Sequence, residues 1–131
     1  MRAWLPIFGL LLLAGCGGGA SVQSSATGST NTEPTTYKED VLAFLRTYLN
    51  DPTGVREAEI SQPALKSVAG RTRYVACLRF NAKKSNGEYA GTKERLVVFL
   101  SGRLDTVHET AGDQCKGAIY EPFPELERLS R

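Results

Sequence analysis

His108 is the sole histidine among 131 residues, so an imidazole-based proton transfer would have to run through it. Its neighbours Thr106 and Glu109 offer no matching nucleophile, and no Gly-x-Ser-x-Gly elbow occurs in the chain. An exposed histidine at a strand end is the expected reading. Glu57 and Glu59 stand two apart on one face of an expected strand. A glycosidase pair needs two acids about 5–10 Å apart in a cleft, and a chain this short has little material to build one. A solvated strand face accounts for the pair. Asn86-Gly87-Glu88-Tyr89-Ala90-Gly91 has glycines but neither P-loop nor dinucleotide spacing, and reads as a hairpin loop. One histidine and scattered cysteines form no zinc-ligand pattern. The sequence therefore predicts no catalytic residue, no metal, no cofactor and no enzyme.

The cysteines are more informative. Cys16 closes Leu13-Ala14-Gly15-Cys16, directly after the apolar run 4–13, which Pro6 and Gly9 interrupt and the basic Arg2 precedes. The run is too short to span a bilayer as a helix, which needs about 20 apolar residues. Residues 1–15 have the parts of a signal peptide. An ordinary secretory signal, cleaved after a small residue with Cys16 incidental, is one reading. The preferred one is a lipobox, because the small pair Ala14-Gly15 sits between Leu13 and Cys16. The segment resembles the signal peptides of bacterial lipoproteins. That resemblance implies cleavage before Cys16, a diacylglyceryl thioether on its sulfur and a further acyl chain on the new N-terminus. Two or three acyl chains make a stable anchor where one holds only marginally, so the membrane is an expected partner. Gly17 follows the lipidated position. By resemblance to the enteric sorting rule, a residue other than Asp there implies the outer membrane, facing the periplasm.

Residues 16–36 are expected to be the lipidated cysteine and a flexible tether, since Gly, Ser and Thr dominate and Val22 is the lone larger aliphatic. Such a segment reaches roughly 25 Å on average. Loss of Arg2 with the signal leaves 15 basic residues against 14 acidic ones. A near-neutral chain has no concentrated basic face for nucleic acid. Lys83-Lys84, the one basic doublet, falls in an apparent turn.

With Cys16 lipidated, Cys77 and Cys115 remain as an even pair in a compartment where disulfides persist. A bond between them is the preferred reading and two free buried thiols the alternative; the spacing is unlike a redox C-x-x-C.

The elements that would carry these residues form a domain over 37–131. Thr36 and Glu39 fit a capping box, and Tyr37, Val41, Leu42, Phe44, Leu45, Tyr48 and Leu49 follow at helical spacing. This predicts a helix over 37–49, stopped by Asn50-Asp51-Pro52. A short strand is expected over 55–61, and a loop over 64–70. The clearest strand is 71–82, with Tyr74, Ala76, Leu78 and Phe80 on a core face and Arg71, Arg73, Val75, Cys77 and Arg79 on a mixed, solvent-facing one. Strands over 94–100 and 103–109 complete a meander through turns at Asn86-Gly87 and Ser101-Gly102. The fold class is α+β: one N-terminal helix packed on a three- to four-stranded antiparallel meander, with one disulfide. Tyr89 in the hairpin loop, and Tyr120 and Phe123 in the proline-bracketed tail, are candidate interaction anchors or edge-covering core residues.

The lipobox, the polar tether, DPTGVREAEIS, RYVACLRFNAK, NGEYAG and QCKGAIYEPFPEL together resemble a group of small uncharacterised proteobacterial envelope lipoproteins, over about 37–126. This resemblance implies an envelope location and a Cys77–Cys115 bridge, and no known activity. A looser architectural likeness is to the small lipoproteins of the outer-membrane β-barrel assembly machinery. There, helical elements pack on a three-stranded antiparallel sheet. Those proteins carry a helical hairpin before the sheet, whereas one helix is clear here. Two functions follow as expectations: a non-enzymatic interaction or accessory module with an envelope protein partner, or a periplasmic inhibitor or small-ligand binder, for example of a cell-wall hydrolase.

Overall fold

The structure, a computed structural model, describes residues 31–131. The expected leader, Cys16 and the part of the expected tether up to residue 30 lie outside the described residues. The fold is a mixed helix and antiparallel sheet, with six strands and one disulfide. Helix α1 (Tyr37–Tyr48) precedes β1 (Asp51–Ser61), β2 (Ala64–Val68), β3 (Arg71–Lys83), β4 (Tyr89–Leu100) and β5 (Arg103–His108). A 3-10 turn (Gly112–Cys115), β6 (Tyr120–Pro122) and the single-turn helix α2 (Pro124–Glu127) complete the chain. The sheet runs β5-β4-β3-β1-β6, with β2 also paired to β3.

The expected three to four strands are thus six, and the two unforeseen ones flank the candidate site. β1 and β2 share one edge of β3: Ile60 pairs with Leu78 and Ala64 with Val75, on either side of Gln62-Pro63. β2, expected as a loop, is a strand because Ala69 and Gly70 both take positive φ (49° and 77°) and close a two-residue hairpin. Such mirror-image turns match the twist of the strands they join. Alanine stands where Asn usually signals this turn, which hides it in the sequence. β6 is a three-residue strand laid along β1 from Glu59 to Ser61.

β1 is longer than expected and irregular. It starts at Asp51, and its register against β3 shifts between Asp51 and Arg56 and again between Arg56 and Glu59. Gly54 (φ 69°) and Glu57 (φ 55°) sit at these bulges. The bulge separates the two glutamates: Glu57 accepts from Thr92, and Glu59 pairs with Arg79. Glu57 and Glu59 therefore have separate partners.

α1 buries Val41 and Leu45 against Ile60, Leu78, Phe80, Val97 and Phe99, joined from the tail by Phe123 and Leu126. The capping box does not form; Thr36 caps with its carbonyl alone, which accepts the Asp40 N–H at 3.0 Å. The helix does not begin the described segment. Residues 31–36 run ahead of it, and Pro34 there is fully buried. A Cβ at Gly102 would meet Thr32 Cγ2 at 3.3 Å. Residues 31–36, read from the sequence as the end of a tether, thus include a buried proline.

The other sheet face is not simply open to solvent. Val75, Cys77, Leu96 and Val98 are buried there under Ala111 and Cys115, forming a second, smaller core. The 3-10 turn covers them because a disulfide holds it down.

Candidate binding groove beside the disulfide

Cys77 and Cys115 are bonded, with Cα atoms 5.7 Å apart across a 38-residue separation. Cys77 lies on the Val75/Arg79 face of β3, so the bond fixes the 3-10 turn over that face. Two hydrogen bonds to β2 reinforce it. Lys66 Nζ donates to the Gln114 carbonyl, and Gln114 Nε2 donates to the Ser67 carbonyl at 2.6 Å.

Between this turn, β2 and the start of β6 the sheet leaves a groove of about 540 Å³. Its floor is Val75 and Cys77; Pro63 and Ala64 form one wall, and Ala118 and Ile119 the other. Ligand sites typically span about 300–1,000 Å³ with apolar walls and a few placed polar groups. Here those groups are Lys66 and Glu121, of opposite charge, and Gln62, whose Nε2 donates to Glu121 at 3.2 Å. Ser61 Oγ is occupied by the Cys77 N–H at 2.7 Å, so it is a structural acceptor. Ile119 on the rim is 83% exposed, the most exposed large hydrophobic among the described residues. The groove offers apolar contact and paired charge, suited to holding a ligand.

The aromatic candidates fall in different places. Tyr120 borders the groove but is half-buried; Arg79 Cζ lies 4.0 Å from its ring centroid, and its hydroxyl donates to Glu94. Burial first, then that hydrogen bond, pushes the phenol well above its ordinary range. Tyr89 is not a free loop anchor. It opens β4, donates its hydroxyl to the Gly54 carbonyl at 2.7 Å, and stacks under Arg56 at 4.0 Å. Phe123, expected as a possible anchor in the tail, is fully buried in the main core, and its N–H donates to the Ala58 carbonyl at 2.8 Å. It cannot present a ring to a partner. His108 ends β5, at the opposite side of the sheet from β6, with Thr106 Oγ1 at 3.5 Å from Nε2. Cys16 lies outside the described residues.

Ile119, Pro63 and Lys66 were not foreseen. The one sequence signal near them is Gly117, which takes a positive φ of 74° and turns the chain from the disulfide towards β6. Among the described residues no group of three His, Cys, Asp or Glu could hold a metal ion, and no helix is long and apolar enough to cross a membrane. No family model, curated protein or solved structure matches the chain.

Proposed function

We propose that the protein is a lipid-anchored envelope binding module, held to the outer membrane through Cys16, which takes an apolar segment of an envelope partner protein in the groove beside Cys77–Cys115. The observation that carries the binding site is Ile119: a large aliphatic side chain kept in solvent on the rim of an apolar groove. Exposed aliphatic surface bordering a pocket marks interaction sites more than it serves a monomer. The opposite charges of Lys66 and Glu121 suit a segment that brings one charge of each sign. The anchor rests on the lipobox spacing of Leu13 to Cys16 and on the polar stretch after it.

The inhibitor reading would use the hairpin at Asn86-Gly87 as a plug for an enzyme cleft. The turn is tied, with Lys84 N–H donating to the Glu88 carbonyl at 2.7 Å and Glu88 N–H to Asn86 Oδ1 at 3.0 Å. Its aromatic residue, Tyr89, is turned back onto Gly54. The groove is therefore the better-supported surface.

The test combines fractionation with recovery. Cys16→Ser is expected to leave the membrane fraction or to stay unprocessed. Ala118→Trp, which fills the groove, is expected to keep the membrane location and lose the partner recovered by crosslinking from membranes. An unmodified N-terminal peptide in the membrane fraction would overturn the anchor. Undiminished recovery with a filled groove would overturn the site.

A further inference from the structure

The loop of the β3–β4 hairpin carries chemistry that the groove does not use. Gly87 N–H donates to the Lys84 carbonyl at 3.0 Å, and Lys84 N–H to the Glu88 carbonyl at 2.7 Å. Together they close a three-residue loop over 85–87, with Gly87 at a left-handed φ of 85°. Glycine suits that position because a Cβ would strain it. Residues 84–88 are all exposed. A Cβ built on Gly87 would meet nothing within 4 Å, so the rest of the fold does not shield this side of the loop.

Asn86 places its side-chain amide carbon where the Gly87 nitrogen can close a five-membered ring with it. Its Oδ1 accepts from the Glu88 N–H at 3.0 Å, and its Nδ2 donates to Glu88 Oε2 at 3.4 Å. Of the four asparagines in the chain, Asn86 alone precedes a glycine. Thr32, Asp51 and Ala82 follow the other three, and each puts a Cβ beside the nitrogen that would attack. Asn81 is also fixed within β3, where its Oδ1 accepts from the Gly91 N–H at 2.8 Å.

We propose that Asn86 is a site of spontaneous modification, which cyclises onto Gly87 with loss of ammonia and reopens as a carboxylate. Hydroxide removes the Gly87 N–H proton, and the freed electron pair forms a bond from nitrogen to Asn86 Cγ. The Cγ–Nδ2 bond breaks, and Nδ2 takes a proton from water and leaves as ammonia. Water then adds to one of the two carbonyls of the succinimide. Cleavage at Cγ gives an aspartyl residue, and cleavage at the backbone carbonyl gives an isoaspartyl residue whose chain runs through the former side chain. The closed loop restrains the first step, because hydrogen bonds hold both the Gly87 N–H and the Asn86 amide. Attack therefore follows opening of the loop, and exposed loops open at low cost. The isoaspartyl product carries one more backbone carbon in a loop whose length sets the hairpin register, so it cannot reclose in the same form. This site is separate from the groove and does not depend on it.

The test ages the full chain at physiological temperature in mildly alkaline buffer, natively and in urea, with a mildly acidic native sample alongside. Peptide mapping by mass spectrometry follows the one-dalton gain of amide-to-acid conversion, and an isoaspartyl methyltransferase counts the isoaspartyl product. The native chain is expected to gain mass at position 86 and not at Asn50 or Asn81. The rate should rise with hydroxide, run several-fold below that in urea, and yield two products with isoaspartyl in excess. Gly87→Ala, first checked for an intact fold, should slow the reaction several-fold. Asn86→Gln, which would need a six-membered ring, should stay unmodified over the same interval. No gain at position 86 in the native chain, an aspartyl product without isoaspartyl, or an undiminished rate in Gly87→Ala overturns the site. A native rate equal to that in urea overturns the restraint by the closed loop.

Discussion

Arg103 on the edge strand β5 grips Asp40 of α1 through two parallel hydrogen bonds, Nε to Oδ2 at 2.8 Å and Nη2 to Oδ1 at 2.9 Å. The Leu104 N–H adds a third, to Oδ2 at 3.0 Å. Asp40 is buried while Arg103 is exposed, so the carboxylate is the member that needs its partners. The contact ties the helix to the far edge of the sheet.

Asp40→Asn is expected to lower stability by about 1.5–3 kcal/mol at neutral pH, the range for hydrogen bonds to a charged group. Urea midpoints measure it. Arg103 holds the Asp40 carboxyl below its ordinary value of 3.8, against the opposing effect of burial. A depressed folded value stabilises above the unfolded value and is lost as pH falls through the folded one. The gap between wild type and Asp40→Asn should therefore be full above about pH 5 and shrink below about pH 4. A gap that widens on acidification would contradict this.

The disulfide should stabilise the fold through the loop it closes. Replacing both Cys77 and Cys115 with Ala is expected to cost about 3–4 kcal/mol by the loop-entropy estimate. Reductant should reproduce the loss in wild type and change nothing in the double variant. Protection of the Val75 and Cys77 amides, on the face covered by the 3-10 turn, should fall most.

Ala69 is a correctable weakness. It holds a left-handed φ of 49° in an exposed two-residue turn. Ala69→Asn, a residue that tolerates this conformation, is expected to raise stability by about 0.5–1 kcal/mol. An unchanged urea midpoint would show that the turn carries no strain.

The sequence is legible wherever period and turn chemistry agree. Tyr74, Ala76, Leu78 and Phe80 do face the core, and Ser101-Gly102 does make the tight turn, with positive φ at both residues. Helix α1 stands within a residue of its expected end. β2 was hidden because its turn lacks the usual Asn, and the start of β1 because bulges at Gly54 and Glu57 break the alternation that marks a strand. The groove was illegible for a different reason. Its walls come from β1, β2, β3 and the tail, and are assembled by a disulfide over 38 residues. No local pattern encodes that assembly.

Phe123 illustrates the same limit. A phenylalanine between two prolines reads equally as an exposed anchor and as a plug. The structure buries it completely. Phe123→Ala should cost about 3–5 kcal/mol, as truncation of a core aromatic does. Tyr89→Phe, which removes one hydrogen bond to Gly54, should cost about 0.5–1.5 kcal/mol. Comparable losses in the two variants would contradict these placements.

The most direct test of the proposed binding groove is site-specific photocrosslinking in intact cells. A benzophenone amino acid is placed at Ile119, and in parallel at Ser85 on the distant hairpin. Crosslinking to a discrete envelope protein from position 119, absent from position 85 and abolished by Ala118→Trp, is the predicted result. Equal crosslinking from both positions, or a position-119 product that survives the filled groove, would contradict it.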